Sequence, residues 1–374
     1  MEEQRKEKKE RREEETRMSA RTESPNLPNE IKDEIFLNLP VTSLLRFRCV
    51  IRDYSRFYSP NFIKMHLNRQ IEKDNGSTII VSTVSKIYKV NIDEFRSPIQ
   101  LDFPHRNPTC LTPIVVVGSC NGLLCLTHRG LYEDTVYVWN PATGDYMQLP
   151  EHINNGSLYI RMFGFGYDHV SGKFKVLAIS HLAEKRPGLR KVEASVYTMG
   201  TSSWRSIGEI QYPRWDPKPQ VFGGCPHWVV PPLKSVVSFN VGDEKFKEIP
   251  LPPVYNSAKT ANLTSMGGCL SMFCCQTFPD RYELWVKVDD VSGNTAWTKQ
   301  LSLNVTNIPG DSCMFGLREI KLYGFKNGRV LLRHDGPALF DPVSSDVRSL
   351  HLPGAQKEFN VYSYIESLAM VTFE

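Results

Sequence analysis

The chain has 374 residues, of which 41% are hydrophobic, and a formal net charge of +4. That length accommodates one large domain with a small companion, or two ordinary domains, and the net charge is too small to argue for nucleic acid as a partner. The longest apolar runs, such as Ile114–Val117, fall far short of the roughly 20 residues that a spanning helix needs, which excludes a membrane class of that kind.

Residues 1–24 hold eight Lys/Arg and eight Asp/Glu with no apolar periodicity, so this head is expected to be a solvated, disordered tail. Its Lys6–Arg12 stretch (KEKKERR) is a diluted version of a nuclear import signal, and the absence of an apolar h-region argues against a secretory leader. The expectation is therefore a soluble, cytoplasmic or nuclear protein whose nine cysteines are reduced thiols.

Residues 27–71 change character. Ile31 and Ile35 stand four apart, with Phe36 and Leu39 beside them, between Pro28 and Pro40, a pattern that predicts a helix over Asn29–Asn38. A second helical pattern carries Leu44, Leu45, Phe47, Val50 and Ile51. A third begins where Ser59 can cap and Pro60 suits the first turn, with Phe62, Ile63 and Leu67 on one side. Three short helices cannot bury all of this apolar surface among themselves. Some of it must meet something else.

From residue 78 the period falls to two and β-branched and aromatic residues dominate: TIIVSTV, IVVV, TVYVW, FKVLAI, ASVYTM, VVSFNV, ELWVKV and RVLL. Asn121-Gly122, Ser171-Gly172, Ser292-Gly293 and Asn327-Gly328 mark turns between them. The remainder of the chain is predicted to be β.

A repeat runs through this region. WNPATGDYMQLP (139–150), YTMGTSSWRSI (197–207), FNVGDEKFKEIP (239–250) and FDPVSSDVRSLHLP (340–353) each open on an aromatic residue and a polar turn. A bulky residue follows seven positions on and an aliphatic one ten positions on. YKVNIDEFRSP (88–98) shares the first two marks, and VDDVSGNTAWTKQL (288–301) fits with a longer turn. The six starts at 88, 139, 197, 239, 288 and 340 give a period near fifty, which is the spacing of kelch-type propeller blades. One four-stranded blade cannot bury both faces, so blades stack around an axis. A six-bladed β-propeller is the expected fold, with a large β-sandwich as its competitor.

These residues carry a family resemblance. LPNEIKDEIFLNLPVTSLLRFRCV (27–50) closely resembles the F-box, and SPNFIKMHL (59–67) resembles the segment that often follows it in plants. GSCNGLLCL, WNPATGDYMQLP, FGFGYDHVSGKFKVLAI, SFNVGDEKFKEIPLP, GGCLSMFC and ELWVKVDD are similar to phrases of plant F-box proteins with a kelch-like associated interaction domain. The resemblance implies an F-box at 25–70 and a propeller at 78–374. It also implies the substrate-receptor role of an SCF-type cullin–RING ubiquitin ligase, the box docking on an SKP-family adaptor and the β domain holding a protein target. The adaptor-facing positions it implies are Leu27, Pro28, Ile31, Ile35, Leu39, Pro40, Leu44, Leu45, Arg48, Cys49, Val50 and Tyr54. Relatives usually carry Trp where this chain has Tyr54, a smaller anchor whose hydroxyl needs a partner.

Chemistry of its own is not expected, nor any metal or cofactor. The CLSMFCC (269–275) and CNGLLC (120–125) cysteines lack paired knuckle spacing and sit in apolar strands, where buried thiols are expected. His227 reads as a satisfied strand histidine, Gly164-Phe165-Gly166 lacks the third glycine and the helix of a phosphate cradle, and Asp289-Asp290 reads as a solvated turn. The alternatives are an adaptor-binding scaffold or inhibitor without ubiquitin transfer, and a propeller enzyme. Pro213–Pro219 and Ala183–Arg190 are loops that could touch a target or merely connect strands.

Overall fold

The computed structural model describes residues 27–47, 49–50, 54–74, 77–104, 114–129, 134–152, 161–183, 190–212, 220–230, 235–266, 269–276, 281–289, 295–304, 322–326, 328–333, 336–355 and 359–371. The chain divides into two compact units, Met1–Arg52 and Asp53–Glu374.

In the first unit, α1 (Asn29–Leu37) starts directly after Pro28, whose extended backbone (φ −48°, ψ 146°) leaves its carbonyl to accept the amides of Ile31 and Lys32. Glu30 in the first turn faces the positive end of the helix dipole. Pro40 then opens α2 (Val41–Phe47), and the Phe36 and Phe47 rings meet edge-on at 6.2 Å. Leu37, Val41 and Leu44 form the buried side.

The second unit begins with a 3-10 turn, Tyr54–Tyr58, and α3, Pro60–Asp74. The Ser59 hydroxyl accepts the amide of Phe62, the N-cap that the Ser-Pro pair predicts. Together α1, α2 and α3 are the three expected helices.

All the strands that follow are antiparallel within four-stranded blades, and there are six blades. The first takes Thr78–Thr83, Ile87–Asn91 and Ile99–Leu101 from the start of the domain and Phe359–Ser363 from its end. The second holds Ile114–Cys120, Leu123–Arg129, Asp134–Trp139 and Tyr146–Gln148. The third holds Arg161–Asp168, Lys173–Ala183, Arg190–Thr198 and Arg205–Glu209. Gln220–Phe222, Cys225–Val230, Ser235–Asn240 and Lys245–Pro250 form the fourth. Ala258–Met266, Cys269–Gln276, Arg281–Asp289 and Thr295–Asn304 form the fifth. Leu322–Lys326, Arg329–Arg333, Pro337–Asp341 and Asp346–Ser349 form the sixth. First strands of the fifth and sixth blades pair in parallel at Met266 and Phe325, so first strands line the axis.

The sequence repeat is the hairpin between third and fourth strands of each blade. Its aromatic start and its bulky residue seven positions on face each other across the ladder: Trp139 opposes Tyr146, Phe239 opposes Phe246, and Phe340 opposes Val347. The polar residue after the aromatic folds the turn, because Asn140, Asn240 and Asp341 each accept a backbone amide two residues on. The aliphatic residue at the tenth position (Leu149, Ile249, Leu350) is buried against a neighbouring blade. Each such side chain, fully buried, contributes about 1.5–3 kcal/mol.

Six apolar clusters occupy the six joints between consecutive blades, including the one between the sixth and the first. The joints therefore close a ring, which a sandwich would not do. Glycine sets the approach of the inner strands. A Cβ on Gly166 would stand 2.0 Å from the carbonyl of Gly224, and one on Gly164 would stand 2.9 Å from the Trp228 ring. The Gly164-Phe165-Gly166 pattern thus serves close packing of the third blade on the fourth, where Tyr167 also donates its amide to Gly224.

Candidate functional site

The candidate site is the outward side of the first unit. Ile31 and Ile35 stand four apart, which stacks them on one face of α1, and Leu27 precedes the helix just before Pro28. Leu27, Ile31 and Ile35 are 49%, 48% and 47% exposed. Pro28 and Pro40, which bracket the helix, are exposed as well, and so are Cys49 and Val50 beyond α2. Leu39 and Leu45 are half-buried. Half-exposed aliphatics on one short helix and just ahead of it are apolar surface of the kind that marks a partner site.

Two expected surface positions lie elsewhere. Leu44 is fully buried, so it supports the patch from beneath. Tyr54 lies in the second unit and is buried, with its ring edge-on to Phe57 at 5.1 Å and to Tyr58 at 5.2 Å. Phe57 in turn meets Phe62 at 5.0 Å, so Tyr54 anchors α3 through an aromatic chain. Arg48 lies outside the described residues. Spacing alone missed Phe47, whose ring leaves 37% of the residue exposed next to Phe36, and it missed Leu37 and Val41 as the inner side. The aromatic residues Phe36 and Phe47, eleven residues apart on successive helices, were the available signal.

Of the propeller residues singled out for chemistry, Cys120, Cys125, Cys274 and His227 are buried, whereas Cys269 at the start of its strand is exposed and Cys275 is only partly buried, against the expectation of buried thiols. Burial pushes the Cys120 and Cys274 thiols up to about 12 and raises that of Cys125 further, which keeps them protonated and unreactive. His227 is buried, its Nδ1 lies 2.9 Å from the carbonyl of Cys225, and burial lowers its pKa to about 4. Asp289 pairs with Lys287 at 2.5 Å, while Asp290 lies outside the described residues. So do residues 184–189 and 213–219 of the two candidate loops. Among the described residues no three His, Cys, Asp or Glu come together in a metal-binding group, and no helix is long and apolar enough to cross a membrane.

The sequence profile of the F-box-associated β-propeller domain matches residues 71–313, and that of the F-box domain matches residues 24–50. The chain belongs to the F-box proteins with an associated β-propeller domain. Plant F-box proteins resemble it over most of their length. F-box protein At3g07870 of Arabidopsis thaliana is 27% identical over 92% of this chain and 92% of that protein. F-box protein CPR1 of the same plant is 24% identical over 92% of this chain and 89% of that one. The F-box/kelch-repeat protein At3g23880, also from Arabidopsis thaliana, is 25% identical over 74% and 79%. The exposed stripe Leu27–Ile31–Ile35 thus lies inside the matched F-box, and the six blades include the matched propeller.

Proposed function

We propose that this F-box protein is the substrate-recognition subunit of an SCF-type cullin–RING ubiquitin ligase, acting in the cytoplasm or nucleus. The observation that carries the reading is the half-exposed stripe of Leu27, Ile31 and Ile35 in an F-box that precedes a propeller. In this reading the stripe, with Pro28, Leu39, Pro40, Leu45, Cys49 and Val50, docks on an SKP-family adaptor. Leu44 and Tyr54 act from within, by holding α2 and α3 in place. Burying three such aliphatics contributes several kcal/mol before the cost of association is subtracted.

The propeller holds a protein target. Ubiquitin transfer then follows from proximity, because tethering the target beside the charged conjugating enzyme raises its effective concentration. No catalytic group of this chain enters, and the protein is not itself an enzyme in this scheme. The test is co-purification of the full chain with a recombinant SKP-type adaptor, with Ile31→Asp plus Ile35→Asp as the variant. Loss of the adaptor supports docking through the stripe; retention overturns it. Adding the ligase core then separates a receptor from a scaffold or inhibitor, since only the receptor yields ubiquitin-modified partner.

A further inference from the structure

The first blade is assembled from both ends of the domain, by pairing of Phe359–Ser363 with Thr78–Thr83. The chain does not stop there. Tyr364 donates its amide to Thr78 at 3.0 Å, and Glu366 pairs with Lys89 of the same blade at 2.5 Å. Ser367 then reaches the second blade, where its hydroxyl donates to the carbonyl of Asn121 at 2.7 Å. Asn140 is fully buried and spends both amide hydrogens on this segment, donating to the carbonyls of Ser367 at 3.0 Å and Ala369 at 2.9 Å. Ala369 and Val371 finally join the apolar cluster between the second and third blades.

Gly122 is shaped for this passage. Its φ of +84° is left-handed, and a Cβ there would stand 2.1 Å from the Ser367 hydroxyl. Asn121 and Asn140 sit at the turns after the first and third strands of the second blade. In an up-and-down sheet those turns share one face of the propeller, so the segment crosses that face.

We propose that Tyr364–Val371 is a strap that locks the ring, extending closure from one blade to three and fixing the face of the first and second blades as structural surface. The bond geometry separates this role from ordinary turn formation. Asn240 occupies in the fourth blade the place that Asn140 occupies in the second, and it folds the same turn by accepting the amide of Gly242 at 2.8 Å. Asn140 accepts the amide of Ala142 at 2.9 Å in the same way. The donation to the strap is its additional task.

Asn140→Asp keeps the accepting oxygen and replaces the two-hydrogen donor by an acceptor facing two carbonyls. Hydrogen exchange followed by mass spectrometry on the full chain is the measurement. Loss of two hydrogen bonds should speed exchange roughly tenfold in strands 79–83, 359–363 and 123–129, with 228–230 and 271–274 unchanged. Asn240→Asp should leave the first blade unaffected. A chain ended after Ser363 should show the same localised change as Asn140→Asp, and should be the stronger of the two. Equal exchange in Asn140→Asp and the parent, or an increase spread evenly over all six blades, would overturn the proposal. If the shortened chain does not fold, the Asn140 and Asn240 variants decide alone.

Discussion

The indole N–H of Trp204, in the third blade, donates to the carbonyl of Pro150 at the end of the second blade, at 2.8 Å. Trp297 of the fifth blade stands in the same relation to Pro250 of the fourth, at 2.6 Å, and the Tyr88 hydroxyl of the first reaches the carbonyl of Pro353 after the sixth at 3.4 Å. The Leu-Pro or Ile-Pro that ends three of the repeats is therefore a receptor for the next blade's aromatic donor. The other joints are held differently. Lys175 bridges the third blade to Val241 and Glu244 of the fourth, strand pairing joins the fifth to the sixth, and Tyr362 donates to Val116 between the first and second. Among the described residues, the proline-carbonyl clasp therefore occurs at every second joint around the ring.

Trp204→Phe and Trp297→Phe should each lower stability by about 1 kcal/mol, since each removes one hydrogen bond and little apolar area. The two sites lie in separate joints, so the double variant should show the sum within about 0.5 kcal/mol. Urea unfolding followed by circular dichroism measures this, and a strongly non-additive result would mean that the joints are coupled.

The first unit offers a contrast between surface and support. Ile31→Asp should abolish adaptor capture while leaving stability within about 0.5 kcal/mol, because its side chain is half in water already. Leu44→Ala should cost about 2–5 kcal/mol in a fully buried site and weaken capture only through loss of the folded surface. Parallel thermal scans and adaptor pull-downs distinguish the two.

Gly166→Ala should destabilise the propeller by about 1–3 kcal/mol or more, because the group in its way is the Gly224 backbone carbonyl and cannot rotate aside. Denaturant titration of the purified variant checks it; a neutral result would mean that the third and fourth blades can separate at their inner strands without loss.

Acid should act on the third–fourth joint. The Ser171 hydroxyl and the amides of Val170 and Ser171 hold Asp168 down to about 2, with the Lys175 ammonium 3.3 Å away adding to the effect. Its folded-state pKa is depressed, so its contribution to stability is complete above the unfolded value near 4 and is lost as pH falls toward 2. Glu244, lowered by Arg205 and Lys175 against the opposing effect of its own burial, shifts stability in the same direction. Asp168→Asn should flatten the stability profile between about pH 4 and pH 2 relative to the parent, as measured by unfolding at a series of pH values.

How much of this was legible in the sequence follows from the range of each interaction. The hairpin repeat was legible because its marks lie within one turn: Trp139 and Tyr146 are ladder partners seven residues apart. The Ser59 cap and the stripe at Ile31 and Ile35 were legible for the same reason. The Trp204–Pro150 clasp and the Asn140–Ser367 bonds were not, since spacing along the chain carries no record of partners 54 or 227 residues away. Within the candidate site, apolar residues occur on both sides of α1 and α2, so composition could not tell the outward Ile31 from the inward Leu37 or Leu44. Tyr54 was placed on the surface by analogy of position, and its packing on Phe57 and Tyr58 shows an inward role.

The pairing of Thr83 with Phe359 also sets an order of events during synthesis. Blades two to six can form as the chain leaves the ribosome, each from consecutive residues, whereas the first blade lacks its axial strand until Phe359–Ser363, which follows all the other blades, has been made. Until then Thr78–Thr83 has an unpaired edge, and the apolar face of the sixth blade around Leu331 and Leu339 is uncovered, both surfaces of the kind that recruits other chains. The nascent protein therefore carries its greatest aggregation hazard at the blade it began first.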